Sequence, residues 1–345
     1  MKAALMYGAN DIRIEDIPKP EYDQEGLLLK VEVIGLCGSD IRNLTTDSRK
    51  GDYPHIYGHE VVGTVAEVGA ACTKFAVGDR LYVYPAVPCL ECEYCRAGNS
   101  HSCKNLKAYD RIQGGFAEYM AVPSWGVNGP NIYKIPDDVP FEIAVFSEPL
   151  SSVYACQENI DVKMGQTVVI VGAGPIGCMH AEVAKLRGAN QVIMVEINDE
   201  RLQESKNFGV DYTINSLKED AIEKVKELTG GSGAEVVISA NPSTKAQSDA
   251  VYMVRANGTL VFFGGVPKGS LTEIDTNHIH YQSIWIYGHY GSNTLQVKAS
   301  FDTIISGRID ARKYISKVMP LDDLFEAIQL MKNGKANKVL IKPGM

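Results

Sequence analysis

The chain has 345 residues, too many for one ordinary core, so two domains are expected. Apolar residues make up 45% of it, as in a globular protein, and no run approaches the roughly 20 apolar residues of a membrane span. A net charge of −8 argues against a polyanionic partner such as nucleic acid.

The first residues, MKAALMYGANDIRIED, carry no long apolar core after Lys2 and gain charge by Asp11. No secretory signal is expected, and the expected setting is cytoplasmic. Up to about residue 150 the chain shows short β patterns broken by glycine, at 27–33, 61–68 and 80–84, with little helical period. This predicts an irregular β-rich domain. Two short motifs fall within it, Cys37-Gly38-Ser39-Asp40 and Gly58-His59-Glu60. Taken alone each is weak, because a single Cys is usually buried and a single His is usually a satisfied polar residue. A spacing of 22 residues identifies no metal site by itself.

The next segment is far more specific. Cys89, Cys92, Cys95 and Cys103 follow the pattern C-x2-C-x2-C-x7-C, and half of the 8 cysteines lie in it. Four thiolates close a tetrahedral shell around one zinc ion with no position left for water, so the lobe reads as a structural metal knot. Two disulfides are the competing reading, but bridging such crowded cysteines is geometrically awkward. A nucleic-acid-binding zinc ribbon would show two separated CxxC pairs and a basic surface, which this acidic chain lacks.

After about residue 151 the rhythm changes. Apolar runs at 167–171, 191–196, 212–214, 235–239, 259–263 and 284–287 alternate with helical patterns at 175–187, 199–208, 216–228 and 243–256. Ser216 is the expected cap of the third helix. Such alternation predicts βαβ units and a parallel sheet of two mononucleotide-binding halves. The last segment adds helical patterns at 295–306 and 321–333 and a strand at 338–342. These have no place in that sheet and are expected to return to the first domain. The domains are thus 1–151 completed by 293–345, and 152–292.

A glycine-rich turn, Gly172-Ala173-Gly174-Pro175-Ile176-Gly177, directly follows the strand TVVIV and opens a helix. Glu196 ends the next strand, at the spacing of roughly 20 residues that a dinucleotide fold needs. Gly172 permits the tight turn, Gly174 lets backbone approach a pyrophosphate, and Gly177 lets helix and strand pack closely. Pro175, Ile176 and Arg201 are assigned to the cofactor with them. A carboxylate at Glu196 accepts ribose hydroxyls and repels a 2′-phosphate, so NAD is expected over NADP.

These motifs and others are shared with a known family. LCGSD at 36–40, GHE at 58–60, GDR at 78–80, the CLECEYC lobe, GGFAEY at 114–119, SEPL at 147–150 and VGAGPIG at 171–177 run essentially end to end. On them the chain resembles the zinc-dependent medium-chain dehydrogenases, within them the polyol dehydrogenases similar to sorbitol (L-iditol) dehydrogenase. The resemblance implies an α/β fold with a GroES-like β-rich catalytic domain and a Rossmann six-stranded parallel-sheet coenzyme domain, with substrate in the cleft between them. It implies two zinc ions per chain, structural and catalytic, the latter held by Cys37, His59 and Glu148. Glu60 is a carboxylate behind these ligands that can approach the metal. Asp40 orients His59, and Ser39 begins a proton relay or touches substrate.

The implied reaction is NAD-dependent oxidation of a secondary alcohol of a polyol to a ketose, on a small-molecule substrate. L-threonine and sugar-alcohol phosphates are the competing substrates, and a catalytically dead NAD and zinc sensor is the non-enzyme alternative. Many relatives carry histidine where this chain has Arg42, which stays protonated and cannot shuttle protons. Arg42 is either a solvated charge or a phosphate contact. The aromatic residues of 281–290 are expected in the sixth strand and a subunit interface, in a homo-oligomer taken to be a tetramer.

Overall fold

The computed structural model describes residues 1–46, 53–109 and 113–345, in two compact units. One unit is Met1–Ser151 with Ser292–Met345, and the other is Ser152–Gly291.

The first unit opens with β1 (Lys2–Gly8), β2 (Asp11–Asp16), β3 (Leu27–Gly35), α1 (Gly38–Thr45), β4 (Glu60–Val68) and β5 (Arg80–Val83). The cysteine lobe follows, with β6 (Ala86–Val87), α2 (Glu93–Arg96) and β7 (Lys107–Ala108). Then come β8 (Tyr119–Val122), α3 (Ser124–Val127), β9 (Ile132–Lys134) and α4 (Phe141–Ala144), and α5 (Ser147–Asn159) begins in this unit and continues into the second from Ser152. The second unit carries β10 (Thr167–Val171), α6 (Pro175–Leu186), β11 (Gln191–Glu196), α7 (Asp199–Ser205) and β12 (Tyr212–Asn215). It continues through α8 (Ala221–Leu228), β13 (Ala234–Ser239), α9 (Thr244–Ala250), β14 (Val254–Phe262), α10 (Thr276–Gln282) and β15 (Trp285–Gly288). The chain ends with α11 (Thr294–Ile305), β16 (Ile315–Pro320), α12 (Leu324–Lys332) and β17 (Lys338–Lys342).

In the first unit a seven-stranded sheet has the order β16-β17-β3-β4-β5-β9, with β8 on β3. β3 is its centre, because LLLKVEVIG is buried along nearly its whole length. β17 pairs antiparallel to β3, with Leu340 opposite Gly35, which brings residues 338–342 beside the start of α1. The core joins β3, β4 and β5 residues such as Leu29, Val61 and Leu81 to Leu324 and Ile341 from the last segment.

The second unit is a parallel sheet in the order β12-β11-β10-β13-β14-β15. This is the strand order of two mononucleotide-binding halves. Its central strands β10 and β13, TVVIV and AEVVIS, are buried along nearly their whole length, as a parallel sheet covered on both faces requires.

Two elements start elsewhere than the sequence pattern suggests. α8 begins at Ala221, not after Ser216. The Asn215 side chain takes the Leu217 N–H at 2.9 Å, which makes a turn there, and Asp220 caps the helix by accepting from Ile222 and Glu223 N–H. α9 ends at Ala250 and passes through a 3-10 turn, so β14 already starts at Val254.

Candidate metal centres and coenzyme turn

Cys37 is the N-cap of α1, in extended backbone at φ −95° and ψ 154°. Its own N–H donates to Asp40 Oδ2 at 3.1 Å. The other Asp40 oxygen lies 3.0 Å from His59 Nδ1. Asp40 is only 2% exposed, so this carboxylate works away from solvent. It fixes the imidazole by one nitrogen and leaves Nε2 for a metal. Burial opposes a charged His59, but Asp40 and Cys37 outweigh it and hold the imidazole pKa well above the ordinary value.

The donor atoms of Cys37, His59 and Glu60 all lie within 4.8 Å of one another. Glu148 stands in the first turn of α5, and the charges of His59 and Glu60 act on it. Its carboxyl is pushed up to about 7, first by burial, with His59 pulling down and Glu60 pushing up. A thiol, an imidazole and a carboxylate form the donor set that zinc takes at a site with an open position, and among the described residues the structure brings together Cys37, His59 and Glu60 as this set, without Glu148. Ser39 is partly buried in the first turn of α1, and Arg42 is exposed in its last turn.

Sequence reasoning misses one residue here. Lys338, at the start of β17, is 3% exposed, and its Nζ lies 2.6 Å from Glu60 Oε1 and 2.5 Å from Oε2. It also donates to the Leu36 carbonyl at 3.2 Å. Burial opposes its charge, but Glu60 and then Cys37 hold the ammonium pKa above normal. The only signal in the sequence is a lysine opening an apolar run, KVLIK, which ordinarily marks a solvated strand end.

The four lobe cysteines converge. Sγ separations are 3.6 Å for Cys92–Cys95, 3.9 Å for Cys92–Cys103 and 3.4 Å for Cys89–Cys103. Thiolates 2.3 Å from a tetrahedral zinc lie about 3.8 Å apart, so the shell already has the dimensions of the ion. All four are free thiols. Backbone N–H groups of Cys95 and Lys104 pull the Cys92 thiol down to about 6.

In the second unit Gly172 has φ +113°, a conformation that L side chains rarely adopt. A Cβ on Gly177 would stand 1.8 Å from the Gly172 carbonyl oxygen, so α6 packs on the turn only without a side chain there. A Cβ on Gly174 would meet nothing within 4 Å, which leaves room for a ligand. Gly174 is the N-cap of α6, and no side chain caps the helix. Pro175 and Ile176 follow in its first turn, and the free N–H groups of that turn suit a pyrophosphate. Glu196 ends β11 and accepts N–H groups from Ala173 at 2.9 Å, Ile197 at 2.7 Å and Asn198 at 3.2 Å. Arg201, in the first turn of α7, has a buried Nε with no hydrogen-bond partner among the described residues.

The family described as "Zinc-binding dehydrogenase" matches residues 175–306, and the "Alcohol dehydrogenase GroES-like domain" matches residues 23–137. The chain is 32% identical over 346 residues to an L-threonine 3-dehydrogenase of Mesorhizobium japonicum, covering 99% of this chain and 98% of that one. It is a member of the zinc-binding dehydrogenases. This dehydrogenase is also 31% identical to a sorbitol dehydrogenase of Bacillus subtilis, over 99% of the chain and 97% of the relative. Its fold is similar to that of a 2R,3R-butanediol dehydrogenase from Bacillus subtilis, with TM-score 0.88, 26% identity and 99% of both chains covered. The chain is therefore an oxidoreductase with zinc and a nicotinamide dinucleotide as cofactors. No helix among the described residues is long and apolar enough to cross a membrane.

Proposed function

We propose that the dehydrogenase oxidises a secondary alcohol of a polyol to a ketose with NAD, at a catalytic zinc held by Cys37, His59 and Glu148. The observation that supports this reading is the Asp40-braced pair of Cys37 and His59, whose imidazole charge acts on the buried Glu148 carboxyl. The four-cysteine lobe takes the second, structural zinc. Zinc supplies a Lewis acid that acidifies the hydroxyl, and the nicotinamide supplies the hydride acceptor.

The protein's own residues do the rest. Asp40 keeps His59 in one orientation and stabilises its ring. Ser39, directly between the Cys37 cap and Asp40, takes the first proton of a relay. Glu196 and Arg201 hold the adenosine ribose, and the carboxylate favours NAD. Glu60, whose carboxylate lies within 4.8 Å of the Cys37 and His59 donor atoms, can approach the metal. Arg42, exposed on α1, is a solvated charge. The eight free thiols support a cytoplasmic setting. A homo-oligomer, read as a tetramer, is supported by β15, an edge strand of its sheet that presents Trp285 at 73% exposure.

L-threonine is the second reading, supported by the similarity to the Mesorhizobium japonicum relative. The test follows NADH absorbance with sorbitol, xylitol, L-threonine and sugar-alcohol phosphates. Turnover on polyols is expected. Turnover confined to L-threonine transfers the assignment to the second reading, turnover confined to phosphates would return Arg42 to the substrate site, and no turnover on any alcohol despite NAD binding defeats the enzyme reading. Cys37→Ser is expected to abolish turnover while the lobe keeps its zinc.

A further inference from the structure

We propose that Asn241 is a positioning residue for the dinucleotide, its side chain bridging two strand ends and so setting the place of the glycine turn. The inference rests on the coenzyme reading of the turn at 172–177.

In a sheet of two mononucleotide-binding halves, a ligand lies outside the carboxyl ends of the strands, where the strand order reverses. Here the chain passes from β10 to β11 on one side and later adds β13 on the other, so that point lies between β10 and β13. The two strands pair in parallel as far as Val171 and Ser239, the last residue of each. Asn241 stands two residues beyond the end of β13.

A side-chain amide has two N–H donors and one carbonyl oxygen. Asn241 Nδ2 donates to the Val171 carbonyl at 3.0 Å and to Ser239 Oγ at 3.1 Å. One nitrogen thus joins the final residues of both strands. Its Oδ1 accepts the N–H of Ser243, the cap of α9, at 2.9 Å, which fixes the side chain in this direction. The Val171 carbonyl also takes the Ala240 N–H at 2.9 Å, and the next N–H, that of Gly172, donates to the Val195 carbonyl at 2.8 Å. The peptide plane that enters the turn is therefore held at both of its ends.

Packing agrees with the hydrogen bonds. A Cβ on Gly172 would stand 2.9 Å from the Ala240 carbonyl oxygen and 3.3 Å from Asn241 Cβ. One on Gly264, just past β14, would stand 2.4 Å from the Asn241 carbonyl oxygen. Bare backbone flanks Asn241 on both sides, so the residue has no room to shift. A pyrophosphate takes the N–H groups that open α6, a few residues along the same backbone. If the plane at Val171 and Gly172 tilts, those groups turn away from the phosphates. NAD and NADP share the pyrophosphate, so this device serves both alike, whereas Glu196 discriminates between them.

The test compares full-length wild-type protein with Asn241→Ala. The NADH dissociation constant, read by fluorescence titration, is expected to rise about 5–30-fold for two neutral hydrogen bonds lost. KM for NAD is expected to rise by a similar factor, with kcat at saturating NAD and the NAD to NADP ratio of kcat/KM both kept. Ser239→Ala breaks one of the two bonds and is expected to raise the dissociation constant about 2–5-fold; it decides the matter if Asn241→Ala does not fold. An unchanged dissociation constant in the deciding variant, with or without a lower melting temperature, overturns the proposal. So does a shifted NAD to NADP ratio, or a fall in kcat with KM unmoved. A wild-type protein that binds neither NADH nor NADPH instead overturns the coenzyme reading beneath it.

Discussion

Asp40 grips His59 by Nδ1 at 3.0 Å and, with its other oxygen, takes the Cys37 N–H at 3.1 Å. One buried carboxylate thus holds the backbone of Cys37 and the imidazole of His59, which come from separate segments of the chain. Asp40→Asn keeps the size and loses the charge. Metal affinity at alkaline pH is expected to fall by about 10–100-fold, measured by competition with a chelator.

The same pair makes metal uptake pH-dependent. A metal must displace the proton from His59, whose pKa lies well above 6.5. Apparent affinity therefore rises with pH until that raised value is passed, and Asp40→Asn moves the limb to lower pH. Metal-free protein follows the opposite trend. The charged pair contributes fully below about pH 6.5 and is lost as pH climbs through the raised pKa. Metal titrations and melting curves across pH check both slopes.

Cys95→Ser opens the lobe shell. Zinc content is expected to fall by about one equivalent per chain and the melting temperature to drop, because binding energy at a closed site is folding energy. Metal analysis with calorimetry reads both.

The two glycines of the turn separate folding from binding. Gly177→Ala puts a methyl against the Gly172 carbonyl and is expected to cost about 1–3 kcal/mol of stability. Gly174→Ala meets no protein atom within 4 Å, so the fold is expected to survive while NADH affinity falls. Thermal melts and NADH fluorescence titration distinguish the two.

Glu196→Ala removes the carboxylate expected to meet the ribose. The NAD to NADP ratio of kcat/KM is expected to drop by roughly ten- to a hundredfold, the worth of one charge-assisted hydrogen bond. An unchanged ratio would leave Glu196 only its backbone contacts to Ala173, Ile197 and Asn198.

What could be read from the sequence was what is local. The second unit was legible because short apolar runs alternate with helical patterns and glycine marks the dinucleotide turn. The cysteine lobe was legible because its ligands share one short segment. The start of α8 was not, because an Asn215 turn competes with Ser216 for the cap. β16 was missed as well, since ISKVMP is mostly exposed and carries a weak pattern. Cys37, His59 and Glu148 were joined only by resemblance to a family, since their spacing carries no signal. Lys338 escaped altogether, because its partner Glu60 lies 278 residues away and lysine beside an apolar run ordinarily faces water.

The two metal centres differ in when they can be built. Cys89 to Cys103 emerge together, so a growing polypeptide can fill that knot while most of the second unit is still unmade. The other centre waits for β17, which inserts beside β3 and delivers Lys338. Synthesis therefore offers zinc a folding staple early, and a working centre only once the final strand has docked.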